Sequence, residues 1–120
     1  MNELQKQDIV DLIEREIDMT LATISPEGLP YATTVSFVND GLILYFGTSI
    51  NSQKVTNIDS NSNVSLTINS PYRFWKDIAG VCISGQASRV QNSEEFRKVR
   101  ILLVDKFPQV NDFAKAENED

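Results

Sequence analysis

The sequence predicts a mainly β fold, a small antiparallel barrel with peripheral helices, formed as a single domain over residues 1–120. Five segments show the period-two alternation of β-strands, and glycine-containing turns of the kind that close hairpins separate the first three. Apolar residues with helical spacing occur before, between and after these strands. Because five strands in so short a chain would leave a long edge exposed in a flat sheet, we expect the sheet to close into a barrel.

The chain begins with a helix that Asn2 caps, and Gln5 occupies the capping-box position three residues later. The apolar stripe of this helix has three- and four-residue spacing and consists of Ile9, Leu12, Ile13 and Ile17. The period then changes to two. Residues 19–38 therefore predict a hairpin, whose turn at residues 26–28 places Gly28 where a positive φ is needed.

A second turn and a third strand follow this hairpin. Asn39-Asp40-Gly41 is a strong hairpin signal, and residues 42–48 alternate, so we expect the first three strands to form a meander. The alternation stops over residues 49–62. Asn51 or Ser52 is expected to cap a short helix there, because both side chains can accept hydrogen bonds from helix-terminal N–H groups.

The second half of the chain predicts two more strands and a final helix. The strands are residues 63–69 and 78–90, and the loop between them, residues 70–77, is rich in aromatic side chains. Asn92 is expected to cap the helix, with Glu95 in the capping-box position. The apolar face of this helix consists of Phe96, Val99, Leu102, Leu103 and Phe107.

Composition excludes several partners. The chain has 11 basic and 17 acidic residues, a net charge of −6, which leaves little material for a phosphate-binding face, so we expect no nucleic-acid partner. No apolar run approaches the roughly 20 residues that span a bilayer. Acidic residues throughout the first twenty positions argue against a secretory signal. We therefore expect a cytoplasmic protein with no membrane partner.

The absence of histidine narrows the chemistry. Ser-His-Asp and Cys-His catalysis and histidine-containing metal sites are excluded, so we expect no metal. The single cysteine, Cys82, cannot form an internal disulfide and is expected to be a small core residue. Any redox chemistry must then come from a bound organic cofactor.

Residues 43–58 gather the groups that could bind an anion. A strand ends at Thr48, a polar turn follows, and a helix begins near Ser52 with Lys54 in its first turn. Helix N-termini present unpaired N–H groups and a partial positive charge, so an anion fits there. The same residues are also explained by a helix cap beside a solvent-exposed lysine, which is the commoner arrangement.

A family resemblance favours the anion site. The run TLATISPEGLPYATTVSFVNDGLILYFGTSINSQKVTNIDSNSNVSLTI, with GVCISGQASRV and KFP after it, resembles the pyridoxamine 5′-phosphate oxidase-like family, the FMN-binding split barrels. The strand ending in Ala-Thr, the glycine turn, the proline, and the polar turn before a lysine carry the resemblance. It covers about residues 5 to 110 and implies a split barrel that binds FMN.

The resemblance also implies which residues hold the flavin. The FMN phosphate would contact Thr48, Ser49, Ser52 and Lys54, with Gln53 at a position where members often have Arg. The second strand would run along the isoalloxazine and ribityl chain through Thr33, Thr34, Val35 and Ser36. Two protomers share each flavin site in this family. A homodimer is therefore expected, in which Trp75 covers the ring from the partner chain or anchors the interface.

The sequence differs from the pyridoxamine phosphate oxidases at positions that argue against oxidation of pyridoxamine phosphate itself. The resemblance implies that pyridoxamine phosphate oxidases have Arg at the position of Thr33 and Lys at that of Val38. We also expect the family's final strand to be missing from this sequence, which is then either naturally short or truncated. The resemblance therefore implies a flavin-dependent oxidoreductase acting on another small molecule, with NAD(P)H as a candidate donor and no catalytic residue identified. The alternatives are a non-enzymatic flavin-binding or sensing module, a binder of F420 or haem on the same fold, and a structural barrel that binds no cofactor.

Overall fold

The computed structural model describes residues 2–109. This part of the chain contains six β-strands and three α-helices. In chain order they are α1 (Glu3–Arg15), β1 (Asp18–Ile24), β2 (Pro30–Ser36), β3 (Val38–Asp40), β4 (Ile43–Tyr45), α2 (Gln53–Ser60), β5 (Asn63–Asn69), β6 (Gly80–Gln86) and α3 (Ser93–Lys106). One turn of 3-10 helix, Trp75–Asp77, lies between β5 and β6. The prediction that the family's final strand is missing concerns residues outside this range.

The strands form two antiparallel sheets. The larger has the order β2-β1-β5-β6, and β3 and β4 pair separately. Leu21 lies opposite Thr33 on one side and Leu66 on the other, and Leu66 lies opposite Ile83, so these four side chains share one face of the sheet. The antiparallel strands and the peripheral helices agree with the prediction. The expected closure into a barrel is wrong for residues 2–109, because β2 and β6 are the two edges of the larger sheet and do not pair with each other or with β3 and β4.

The core lies on that face, under α1. Its buried members are Leu12, Ile13, Met19, Leu21, Phe37, Leu66 and Ile68. Asn2 and Gln5 form the predicted capping box at the start of α1. Ile17 was expected in the apolar stripe of this helix, but the helix ends at Arg15 and the Ile17 side chain is 56% exposed.

The predicted meander is wrong in one respect, because its second strand divides at Phe37. Phe37 and Val38 are both buried, whereas consecutive residues of a continuous strand point to opposite faces. The Phe37 N–H donates to the Ile17 carbonyl oxygen at 3.2 Å, and the chain after it pairs with β4. Six strands therefore replace the predicted five. Both turn glycines have the expected positive φ, 86° at Gly28 and 60° at Gly41.

Two expectations in the second half are also wrong. Cys82 is exposed, because the β5–β6 register directs Val81 and Ile83 toward the core and Cys82 to the opposite face. Phe96 was expected on the inner face of α3, but its side chain is 61% exposed. Sequence periodicity gives the spacing of a stripe; it does not tell which side of the element the rest of the protein covers.

No helix within residues 2–109 is long and apolar enough to cross a membrane. The cytoplasmic location and the single-domain organisation stay predictions.

Candidate functional site

The chain between β4 and α2 folds into a polar turn, residues 48–52, which we call the hydroxyl turn. The Thr48 hydroxyl donates to Ser52 Oγ at 3.3 Å, and the Asn51 N–H donates to Ser49 Oγ at the same distance. The Ser52 N–H also donates to the Ser49 carbonyl oxygen at 3.0 Å. These bonds gather the hydroxyls of Thr48, Ser49 and Ser52 at the start of α2. Thr48 and Ser49 are exposed and Ser52 is half-buried, so the turn is accessible to a ligand, although the Thr48 hydroxyl hydrogen is already used in the bond to Ser52.

The N-terminus of α2 is only partly capped. Ser52 Oγ accepts from the Val55 N–H at 3.4 Å, which confirms Ser52 as the cap rather than Asn51. The N–H groups of Gln53 and Lys54 have no hydrogen-bond acceptor within residues 2–109. The first turn of α2 contains no acidic residue. Free N–H groups at the positive end of the helix dipole favour a bound anion.

Charge around this helix is also favourable. Lys54 is half-buried and forms no salt bridge with any carboxylate of the described chain. Asp59, the only carboxylate on α2, binds Arg89 through two hydrogen bonds of 3.1 and 2.5 Å. The Arg89 guanidinium lowers the pKa of Asp59 and compensates its negative charge. Lys54 therefore remains the uncompensated charge of α2.

A buried polar contact fastens α2 to the sheet. Asn57 is completely buried, and its Nδ2 donates to Thr23 Oγ1 of β1 at 2.9 Å. Gln53 Nε2 donates in turn to Asn57 Oδ1 at 2.7 Å. The Gln53 side chain is therefore engaged along α2, and its main-chain N–H is the group left without an acceptor at the helix start. The sequence analysis assigned no role to Thr23, although the strand ending in Ala-Thr carried the resemblance, and none to Asn57; an asparagine inside a helix, where its propensity is poor, was the available signal.

The predicted flavin-contacting stretch of β2 presents two different faces. Thr33 and Val35 point toward the core, and Thr33 Oγ1 is buried without a hydrogen-bond partner in residues 2–109. Thr34 and Ser36 are exposed on the opposite face, where the Ser36 hydroxyl donates to Asp18 Oδ1 at 3.0 Å. Because β2 is an edge strand, half of its main-chain N–H and C=O groups face away from β1. Those groups can reach a ligand.

Trp75 lies in an exposed aromatic loop, residues 72–78. Its side chain is 86% exposed, and the neighbouring side chains of Tyr72, Phe74 and Ile78 are also exposed. The loop follows Ser70, whose hydroxyl contacts Glu16 just before β1 begins, whereas α2 is fastened to Thr23 near the end of β1. Within one chain, Trp75 and the fastening point of α2 are thus at opposite ends of the sheet.

A sequence model described as pyridoxamine 5′-phosphate oxidase matches residues 5–116. The chain belongs to this family. Membership confirms the resemblance that the strand, turn and lysine pattern predicted.

Three other proteins are similar to this chain in sequence or in structure. General stress protein 26 of Bacillus subtilis is 30% identical over 92 residues, which are 77% of this chain and 64% of that protein. A conserved hypothetical protein of Mycobacterium tuberculosis superimposes with a TM-score of 0.77 and 27% identity, over 89% of this chain and 64% of its own. This chain therefore spans less than two thirds of either protein.

The third is the haem storage protein HutZ of Vibrio cholerae, with a TM-score of 0.76 and 19% identity over 88% of this chain and 78% of that protein. At this identity the similarity shows the common fold.

Proposed function

We propose that this family member binds FMN and uses it as an oxidoreductase on a small molecule. The observation that carries the proposal is the N-terminus of α2, where two N–H groups are unpaired, the hydroxyls of Ser49 and Ser52 lie in the preceding turn, and the first turn contains Lys54 and no carboxylate. FMN ends in a phosphate with nearly two negative charges. Since the whole chain has a net charge of −6 and repels that phosphate at long range, binding must depend on local donors.

The residues present fit a phosphate. Ser52 Oγ already accepts from Thr48 and from the Val55 N–H, so the Ser52 hydroxyl hydrogen is left to donate outward. Lys54 would add a charge-assisted hydrogen bond, and Gln53 would contribute its main-chain N–H. The free edge of β2 would face the flavin ring with main-chain groups, since the side chains of Thr33 and Val35 point inward.

A small-molecule substrate other than pyridoxamine phosphate fits this chain better. At the two positions where pyridoxamine phosphate oxidases are expected to have Arg and Lys, this chain has Thr33 and Val38. Thr33 Oγ1 and the Val38 side chain are both buried, so neither can reach a substrate. Bound FMN would supply hydride chemistry, with NAD(P)H as the candidate electron donor and a small molecule as the acceptor.

The proposal includes a homodimer. The aromatic loop exposes four large apolar side chains, Tyr72, Phe74, Ile78 and Trp75, and exposed aromatic groups of this kind are typical of interfaces. The aromatic loop and the point where α2 is attached to β1 lie at opposite ends of the sheet. The loop would therefore cover the flavin that the partner binds, rather than the flavin of its own chain. Light scattering should give twice the chain mass of 13.5 kDa. A monomeric mass with FMN bound would remove the shared-site part of the proposal.

Titration with FMN tests the binding directly. FMN should remain with the protein through gel filtration and show its visible absorbance band, whereas riboflavin should bind more weakly because it lacks the phosphate. A colourless protein after FMN, but a coloured one after haem or F420, would contradict the proposal in favour of another cofactor. Anaerobic NAD(P)H should bleach the bound flavin; a flavin that stays oxidised with every donor tested would indicate a non-enzymatic binder.

A further inference from the structure

Asn57 is the most deeply buried polar side chain of residues 2–109, with 0% of its surface exposed. Burying an amide is unfavourable unless its donors and acceptor are hydrogen-bonded. Both ends of the Asn57 amide are used, because Nδ2 donates to Thr23 Oγ1 at 2.9 Å and Oδ1 accepts from Gln53 Nε2 at 2.7 Å. An apolar side chain at this position could fill the space, but it would supply no directional contact.

The three side chains connect β1 to the first residue of α2. Thr23 is itself 2% exposed and belongs to the four-stranded sheet, so it is a fixed reference point. Gln53 begins the helix, one turn before Asn57. A helix of eight residues is too short to be stable alone, so its position is decided by its contacts with the sheet.

We propose that Thr23 and Asn57 are positioning residues for the anion site. This inference rests on the proposed function. The hydrogen bond between them sets the position of α2 along β1, and thereby the place where the free N–H groups, the Ser52 hydroxyl and Lys54 meet the FMN phosphate. A hydrogen bond has a narrow range of length and angle, so it can fix a helix more closely than apolar packing can.

Thr23→Val tests the proposal, because valine keeps the shape of threonine and removes only the hydroxyl. Thr23→Ser keeps the hydroxyl and is the conservative variant. Ile68→Val is the matched control, since Ile68 is also fully buried in the four-stranded sheet, on β5, and makes no polar contact with α2. Two quantities are measured for each protein: hydrogen exchange of the α2 amides without ligand, and the ratio of FMN to riboflavin affinity.

We expect Thr23→Val to speed the exchange of the α2 amides and to lower the FMN-to-riboflavin affinity ratio by about tenfold, as loss of one phosphate contact would. Thr23→Ser should restore most of the ratio. Ile68→Val should lower the melting temperature and leave the ratio unchanged, because it does not alter the fastening of α2.

The outcomes separate this inference from the proposed function. If the unaltered protein prefers FMN and Thr23→Val keeps the same preference, Thr23 and Asn57 only stabilise the fold and the positioning role is wrong. If the unaltered protein binds FMN no more tightly than riboflavin, the proposed phosphate site is wrong, and the positioning role is overturned with it.

Discussion

Two helices of this protein start in opposite ways. At α2, Ser52 caps one N–H group, the first turn contains no acid, and Lys54 adds a positive charge. At α3, Asn92 Oδ1 accepts from the N–H groups of Glu94 and Glu95 at 2.8 and 3.2 Å, and both residues place carboxylates in the first turn. The α3 terminus is thus supplied with its own negative charge, whereas the α2 terminus can still accept an anion.

The two helices are also attached differently. Within the described chain, α2 is held by the buried Asn57 amide, and α3 has no fully buried side chain. Polar contacts near the surface connect α3 to the small sheet: the Tyr45 hydroxyl donates to Glu95 Oε2 at 3.0 Å, and Lys98 forms a salt bridge with Asp40. A helix N-terminus therefore becomes a credible binding site when its donors are left free and its position is fixed from inside.

The comparison predicts its largest effect at Lys54. A charge-assisted contact contributes roughly 1.5–3 kcal/mol, so Lys54→Ala should weaken FMN binding about ten- to a hundredfold. Riboflavin affinity should hardly change. Lys98→Ala removes the same charge from α3 and should leave both affinities unaltered. Flavin fluorescence titration of the two variants and the unaltered protein with both ligands measures these affinities. Equal FMN binding by Lys54→Ala and the unaltered protein would place the phosphate elsewhere.

The two cap residues provide a matched pair. Ser52→Ala and Asn92→Ala should each lower the free energy of unfolding by about 1 kcal/mol, because each removes a helix cap. Only Ser52→Ala should also weaken FMN, by about tenfold, since its hydroxyl would donate to the phosphate. Chemical denaturation and flavin titration measure the two effects. If Asn92→Ala weakened FMN as much, helix stability alone would explain the binding loss.

The smallest effect is expected at the attachment of α3. Tyr45→Phe removes one hydrogen bond and should cost about 1 kcal/mol at neutral pH, with no change in FMN affinity. Burial and the hydrogen bond to Glu95 raise the pKa of Tyr45 above its ordinary value of 10.0.

This pKa shift gives the same variant a pH signature. In the unfolded chain Tyr45 loses its proton near its ordinary pKa, whereas the folded protein retains it to higher pH. The stabilising contribution is therefore complete below pH 10.0 and is lost as the pH rises through the folded-state pKa. The difference in unfolding free energy between Tyr45→Phe and the unaltered protein should narrow in alkaline solution. A difference that stayed constant or grew would contradict the raised pKa.

Much of the candidate site could be predicted from the sequence because its contacts are local. Ser52 and Lys54 both lie within one turn of the start of α2. A hydroxyl residue that can cap a helix, followed closely by a lysine, can be recognised from the sequence. Their assignment to a phosphate also needed the family resemblance, since a cap beside a surface lysine has the same sequence. Trp75 could be noticed from the sequence, but its separation from the α2 fastening point depends on strand order.

The sequence by itself determined the features that connect residues a few positions apart: the capping box of Asn2, the positive φ of Gly28, and the cap at Ser52. Each of these features depends on local backbone geometry and on one side chain, so the neighbouring sequence is sufficient to predict it. Only the tertiary structure decided the contacts between distant segments, such as Asn57 with Thr23, 34 positions apart, and the division of a strand at Phe37. Contacts between distant segments depend on which strands become neighbours and which faces are covered. Periodicity in the sequence shows the spacing of the residues on one face, but not which segment packs against that face.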